Sequence, residues 1–147
     1  MEFVALTTRQ LDYLVRQDPY LEPILKGVFA SDQLPKVRDI QTRSAYIVHV
    51  DTRDKQGSHW LSIFVEKDRC EVFDSYGLPL HWYKPSLLVT WVFKHYQDVS
   101  SNVGQLQVTD SNTCGHYALV FLFARASGKS MESFAQPFKY LRYVDND

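Results

Sequence analysis

The stretch DSNTCGHYALVFLFARASG, Asp110 to Gly128, passes from polar turn-formers to an almost wholly apolar run at a single cysteine. A helix running from about Asn112 to near Gly128 with so few polar residues cannot lie on a surface, so the rest of the chain has to wrap around it. Ser111 or Asn112 can cap that helix, which puts Cys114 in its first turn. Backbone N–H groups there lack intrahelical partners and the helix dipole favours negative charge. Such a setting lowers a thiol pKa from about 8.5 towards about 3.5–7.5. Gly115 leaves open space beside the sulfur and lets another chain approach closely. A packing cysteine at a helix start would look the same, so this stretch alone leaves both readings open.

A nucleophilic thiol needs a base, and the base an orienting partner. HWLSIFVE and RCEVFD, separated by Lys67-Asp68, read as a β-hairpin. A two-residue turn pairs 66 with 69 and 65 with 70, and so on down to 61 with 74. Residues 59, 61 and 74 then share a face, with Asp74 diagonal to His59. Diagonal neighbours lie roughly 7–8 Å apart at Cα, within side-chain reach. The carboxylate can bind one ring nitrogen of His59 and leave the other for the thiol. Of the other four among the five histidines, His49 falls in an apolar strand and reads as a core residue. His116 is too near Cys114 along a helix to face it, and His81 and His95 carry no partner signature. An acyl-transfer site also needs oxyanion donors. The Cys114 N–H is one candidate and Gln107, seven positions earlier, a second. Gln105 shares its strand face, and a solvent-facing role for both is equally open.

Around this constellation the elements follow as α, β, β, β, α, β, α, which predicts an α+β domain over residues 1–147, with one mostly antiparallel sheet packed by helices. The first helix starts at Thr7 or Thr8 and shows Leu11, Leu14 and Val15. GVFASDQLPKVRD reads as a loop. SAYIVHV, apolar on both faces, reads as a central strand. Ser86–Asp98 reads as a helix, VGQLQVTD as a strand, and the tail from Ser130 as a short helix. At 147 residues, with 45% hydrophobic residues, the chain can bury roughly 68–70% of its unfolded surface in a single core.

The formal charge of −1 carries no basic excess, so no general affinity for nucleic acid or a membrane surface is expected. The two cysteines include no Cys-x-x-Cys pair, so neither a disulfide scaffold, a zinc site nor any other cofactor is expected. No signal peptide or long apolar segment is visible, and the expectation is a soluble, monomeric protein of a reducing compartment.

Taken together, HW at 59–60, EVFDSYG at 71–77 and QVTDSNTCGHY at 107–117 resemble the adenovirus maturation protease (adenain) family. That family belongs to the cysteine-peptidase clan that also contains the SUMO- and ubiquitin-like-specific proteases. The resemblance implies a papain-like fold with Cys114 as nucleophile, His59 as general base and acid, Asp74 as its orienter and Gln107 as oxyanion donor. Trp60 and Gly115 would line a narrow cleft that favours Gly-Gly or Gly-x-Gly before the scissile bond. The implied substrates are polypeptides: capsid or core precursors, or ubiquitin-like proteins. The implied setting is a DNA virus or virus-like transposon, in host cytoplasm or nucleus or inside virions. Adenain has Glu where this chain has Asp74, which is the choice of the SUMO-protease branch. Adenain is also basic and stimulated by DNA and a disulfide-linked peptide. This chain is near neutral, and its spare thiol, Cys70, falls inside the hairpin, so neither activator is expected. The 33 residues after Cys114 imply a reduced C-terminal lobe.

Overall fold

The computed structural model of the protein describes residues 6–37, 43–51, 59–78, 80–83, 86–102 and 114–134. Helix α1 (Thr8–Arg16) begins at a capping box in which Thr7 and Gln10 satisfy each other's backbone N–H groups. Strands β1 (Leu25–Ala30), β2 (Ser44–His49), β3 (Trp60–Glu66) and β4 (Arg69–Phe73) follow. A 3-10 segment (Leu80–Tyr83), helix α2 (Leu87–His95), strand β5 (Asp98–Ser101) and helix α3 (Cys114–Ala126) complete the described elements. The backbone is helical again at 131–134.

The strands form one five-stranded sheet in the order β1-β2-β3-β4-β5. The α+β class expected from the sequence is present, but the sheet is more mixed than expected. β2–β3 and β3–β4 are antiparallel, whereas β1–β2 and β4–β5 are parallel. Parallel neighbours are joined by long crossovers rather than tight turns, so no local signal in the sequence announces them. β1 occupies part of the segment read as a loop. Its exposed Lys26 and its Gly27 break any alternation, and it is held instead by pairing with β2. The helix expected over Ser86–Asp98 stops at His95 with Tyr96 as its C-cap, and β5 at Asp98–Ser101 begins on its last expected residue and runs through three that were assigned to no element. The strand expected at VGQLQVTD lies outside the described residues, as do the capping positions Ser111 and Asn112.

Lys67 and Asp68 both take positive φ (52° and 66°), the pair of left-handed residues a type I′ hairpin turn requires. The turn sets the register Glu66↔Arg69, Val65↔Cys70, Phe64↔Glu71 and Ser62↔Phe73. Alternation along β3 then serves two cores. Trp60 and Phe64 join α1 and α3 on one face, and Leu61, Ile63 and Val65 join α2 on the other. α3 buries Ala118, Leu119, Phe121 and Leu122 against the first face, while Val120 points outward, 50% exposed. Its far end is fixed electrostatically. Arg125 pairs with Glu71 at 2.7 Å, and Arg43 donates to the carbonyls of Arg125 and Ala126 while pairing with Glu66. Both guanidinium groups pack on the Phe64 ring. These contacts set α3 along the sheet and so set the height of Cys114 at its other end. No helix among the described residues is long and apolar enough to cross a membrane.

Candidate active site

His59 immediately precedes β3, Asp74 immediately follows β4, and Cys114 opens α3. The hairpin places the first two side by side. His59 Nε2 lies 2.6 Å from Asp74 Oδ1, with both side chains buried. The thiol reaches the same spot from the helix, and the backbone N–H of Trp60 lies 3.4 Å from Cys114 Sγ. The structure therefore brings together His59, Trp60, Asp74, Cys114 and Gly115. Gln107 lies outside the described residues.

Asp74 sits in a preformed cage that the sequence did not reveal. The DSYG turn closes with Gly77 N–H donating to Asp74 O at 2.8 Å, and the positive φ of Gly77 (70°) makes that closure cheap. Within it Tyr76 N–H donates to Asp74 Oδ1 at 2.9 Å. Asn102, just beyond β5, grips the backbone from both sides: its Oδ1 accepts from Asp74 N–H at 2.8 Å and its Nδ2 donates to Asp74 O at 2.7 Å. The Tyr83 hydroxyl, on the 3-10 segment, donates to Oδ2 at 2.5 Å. The ring of Tyr76 stacks on His59 with centroids 4.0 Å apart and planes 6° from parallel. Neither Asn102 nor Tyr83 carries a periodic or local sequence signal, because each reaches Asp74 from a different element.

Nε2 of His59 is committed to Asp74. Nδ1 is buried and makes no regular hydrogen bond, and the thiol of Cys114 is the group that couples to the ring. Burial pulls the His59 pKa down. Hydrogen bonding and charge from Asp74 and Cys114 outweigh that and raise it to about 9. Burial likewise disfavours a Cys114 thiolate, but His59 and the Trp60 and Gly115 N–H groups outweigh it, and the thiol pKa is lowered. The two shifts describe one tendency, transfer of the thiol proton to the imidazole. Cys70 goes the other way. Buried in β4, it is pushed up to about 12, first by burial and then by the charge of Glu71.

Gly115 does not leave the open space expected of it but is closely packed. A methyl group on Gly115 would meet Trp60 Cδ1 at 3.3 Å and both Leu11 Cδ2 and Leu6 Cβ at 3.4 Å. The Trp60 indole is fixed by donation from Nε1 to Leu6 O at 3.2 Å and by the edge of His49, with ring centroids 4.9 Å apart. His49 is buried and burial lowers its pKa, in line with the core role read for it. His95 is bonded through both nitrogens, to Trp91 O and Val37 N–H. Among the described residues no group of three or more His, Cys, Asp or Glu side chains could hold a metal ion.

No family model and no curated protein matches the chain. Among solved structures it is similar to the crystal structure of ASFV pS273R protease and to that of its Se-Met form. Both superpose with a TM-score of 0.49, at 17% and 18% identity, over 86% of this chain. This chain spans 59% and 60% of the length of those chains.

Proposed function

We propose that the protein is a cysteine endopeptidase in which Cys114 is the nucleophile, His59 the general base and acid, and Asp74 its orienter. The observation that carries this reading is the buried arrangement itself: a carboxylate 2.6 Å from His59 Nε2, and the thiol of Cys114, 3.4 Å from the Trp60 N–H, interacting with the same imidazole and held at a lowered pKa. Cys70, buried in the same fold with the negative charge of Glu71 beside it, goes the other way, its pKa raised to about 12.

In this mechanism the Cys114 thiolate attacks the scissile carbonyl carbon, and the carbonyl oxygen becomes the oxyanion. The Cys114 N–H supports it, with the Gln107 amide as a second donor on the strength of its spacing and the family resemblance. The C–N bond then breaks as imidazolium His59 protonates the departing amine, leaving a thioester on Cys114. Neutral His59 takes a proton from water, the hydroxide adds to the thioester, and the thiolate leaves as the new carboxyl group forms. Asp74 keeps its negative charge throughout and fixes the tautomer and plane of the ring. By the family resemblance Trp60 and Gly115 line a narrow cleft, and cleavage follows Gly-containing sites. By the family resemblance the substrates are capsid or core precursors of a DNA virus or virus-like transposon.

The test is cleavage-site mapping. The native chain and its Cys114→Ala variant are incubated with a proteome-derived peptide library, and new termini are read by mass spectrometry. Glycine-containing sites should be cut by the native chain alone. Absence of cuts, or identical cuts by both proteins, contradicts the reading. Cuts confined to ubiquitin-like C-termini would assign it to ubiquitin-like deconjugation instead.

A further inference from the structure

Asp74 Oδ1 is shared by His59 and the Tyr76 N–H, while Oδ2 is held by a phenol from a separate element. Tyr83 is well placed for this. It ends the 3-10 segment anchored by buried Leu80, and its ring lies near-parallel to His59, at 6.3 Å and 21°. Its pKa is pushed upward, by burial first and by the hydrogen bond to Asp74 next, so the hydroxyl stays a donor. The titratable groups facing it are Asp74, Tyr76 and Cys114, with His59 beside them.

We infer that Tyr83 is a positioning residue: its hydroxyl fixes the plane of the Asp74 carboxylate and takes up part of its charge, so that His59 is held in place yet able to release its proton to the leaving group. This rests on the protease reading above. The physical reason is competition. A buried carboxylate with several donors divides its negative charge among them. Remove the phenolic donor and the charge concentrates on the imidazole. His59 then binds its proton more firmly and becomes a poorer acid.

The test is Tyr83→Phe, which keeps the ring and removes one oxygen, with Asp74→Asn in parallel. Alkylation of Cys114 by iodoacetate, an anion drawn by the imidazolium, is followed against pH by mass spectrometry, together with kcat and KM on a cleavable peptide. In Tyr83→Phe the alkaline limb of the alkylation profile should move to higher pH, whereas in Asp74→Asn it should move to lower pH. The kcat of Tyr83→Phe should fall roughly ten- to hundredfold, the worth of a hydrogen bond to a charged group, with KM within about threefold. A Tyr83→Phe profile that is unmoved or moves down, or a loss confined to KM, overturns the inference while leaving the protease reading intact. A native Cys114 that alkylates no faster than a free thiol removes both.

Discussion

Gly115→Ala tests the packing around the start of α3 with one methyl group. The added carbon would lie 3.3 Å from Trp60 Cδ1 and 3.4 Å from Leu11 Cδ2 and Leu6 Cβ, so something must yield by a few tenths of an ångström. Leu11 is fully buried in the first core, and Trp60 is tied to Leu6 O and braced by His49. Overpacking of this kind costs about 1–3 kcal/mol. Alanine in place of glycine in a helix returns about 1 kcal/mol. The net loss is about 0–2 kcal/mol, a fall in Tm of no more than about 8 °C at 2–4 °C per kcal/mol. The effect on chemistry should be larger than the effect on stability, because Gly115 adjoins Cys114, whose Sγ contacts the Trp60 N–H at 3.4 Å, and a shift of the helix start displaces the sulfur. A misplacement of 1 Å can cost about a hundredfold, so a few tenths should cost about tenfold in peptide kcat/KM and in the iodoacetamide rate at Cys114. The assays are differential scanning calorimetry and timed alkylation. A Gly115→Ala chain that melts higher than the native one and alkylates at the native rate would show that Trp60 is not fixed.

His59→Ala should abolish turnover as completely as loss of the thiol, since members of one catalytic unit do not act additively. Asp74→Asn should be milder, and near-native kcat in His59→Ala would point to another base. The His59 pKa is raised from 6.5 to about 9, so its stabilisation is full below the unfolded value and lost as pH rises through the folded one. In a Cys114→Ala background, where only Asp74 remains to raise the His59 pKa, Tm measured by calorimetry should still fall as pH rises above about 6.5, over a window that ends below the native value of about 9. Adding Asp74→Asn should flatten that fall. Gln107→Ala should lower kcat by about 10²–10³ with KM little changed, and Gln105→Ala should stay within a few-fold. Equal effects in steady-state kinetics would dismiss Gln107 as the oxyanion donor.

The antiparallel centre of the sheet was legible because its information is local. Lys67-Asp68 announces a turn, the turn dictates register, and register alone brings Asp74 beside His59. A threonine at 7 or 8 likewise announces the start of α1, and the structure chooses Thr7 as the cap. The parallel outer strands were not legible. β1 and β5 are short and interrupted by lysine, glycine or serine, and each exists because a neighbour distant in sequence supplies its hydrogen bonds. The support of Asp74 failed to appear for the same reason. Asn102 is fixed by the β4–β5 pairing and Tyr83 by the anchoring of the 3-10 segment, neither of which leaves a trace in local spacing. The boundary between polar and apolar residues at Cys114 singled out the thiol, but only the fold gives it Trp60 and His59 as neighbours.

Covalent trapping tests the central claim most directly. The native chain is treated with a substoichiometric glycine-terminated peptide electrophile at mildly acidic pH, and the intact mass and modified residue are determined. A single adduct on Cys114, lost in His59→Ala, is the expected result, with Cys70 unmodified as its pKa of about 12 requires. An adduct on Cys70, or labelling of Cys114 that is unaffected by removal of His59, would contradict the account.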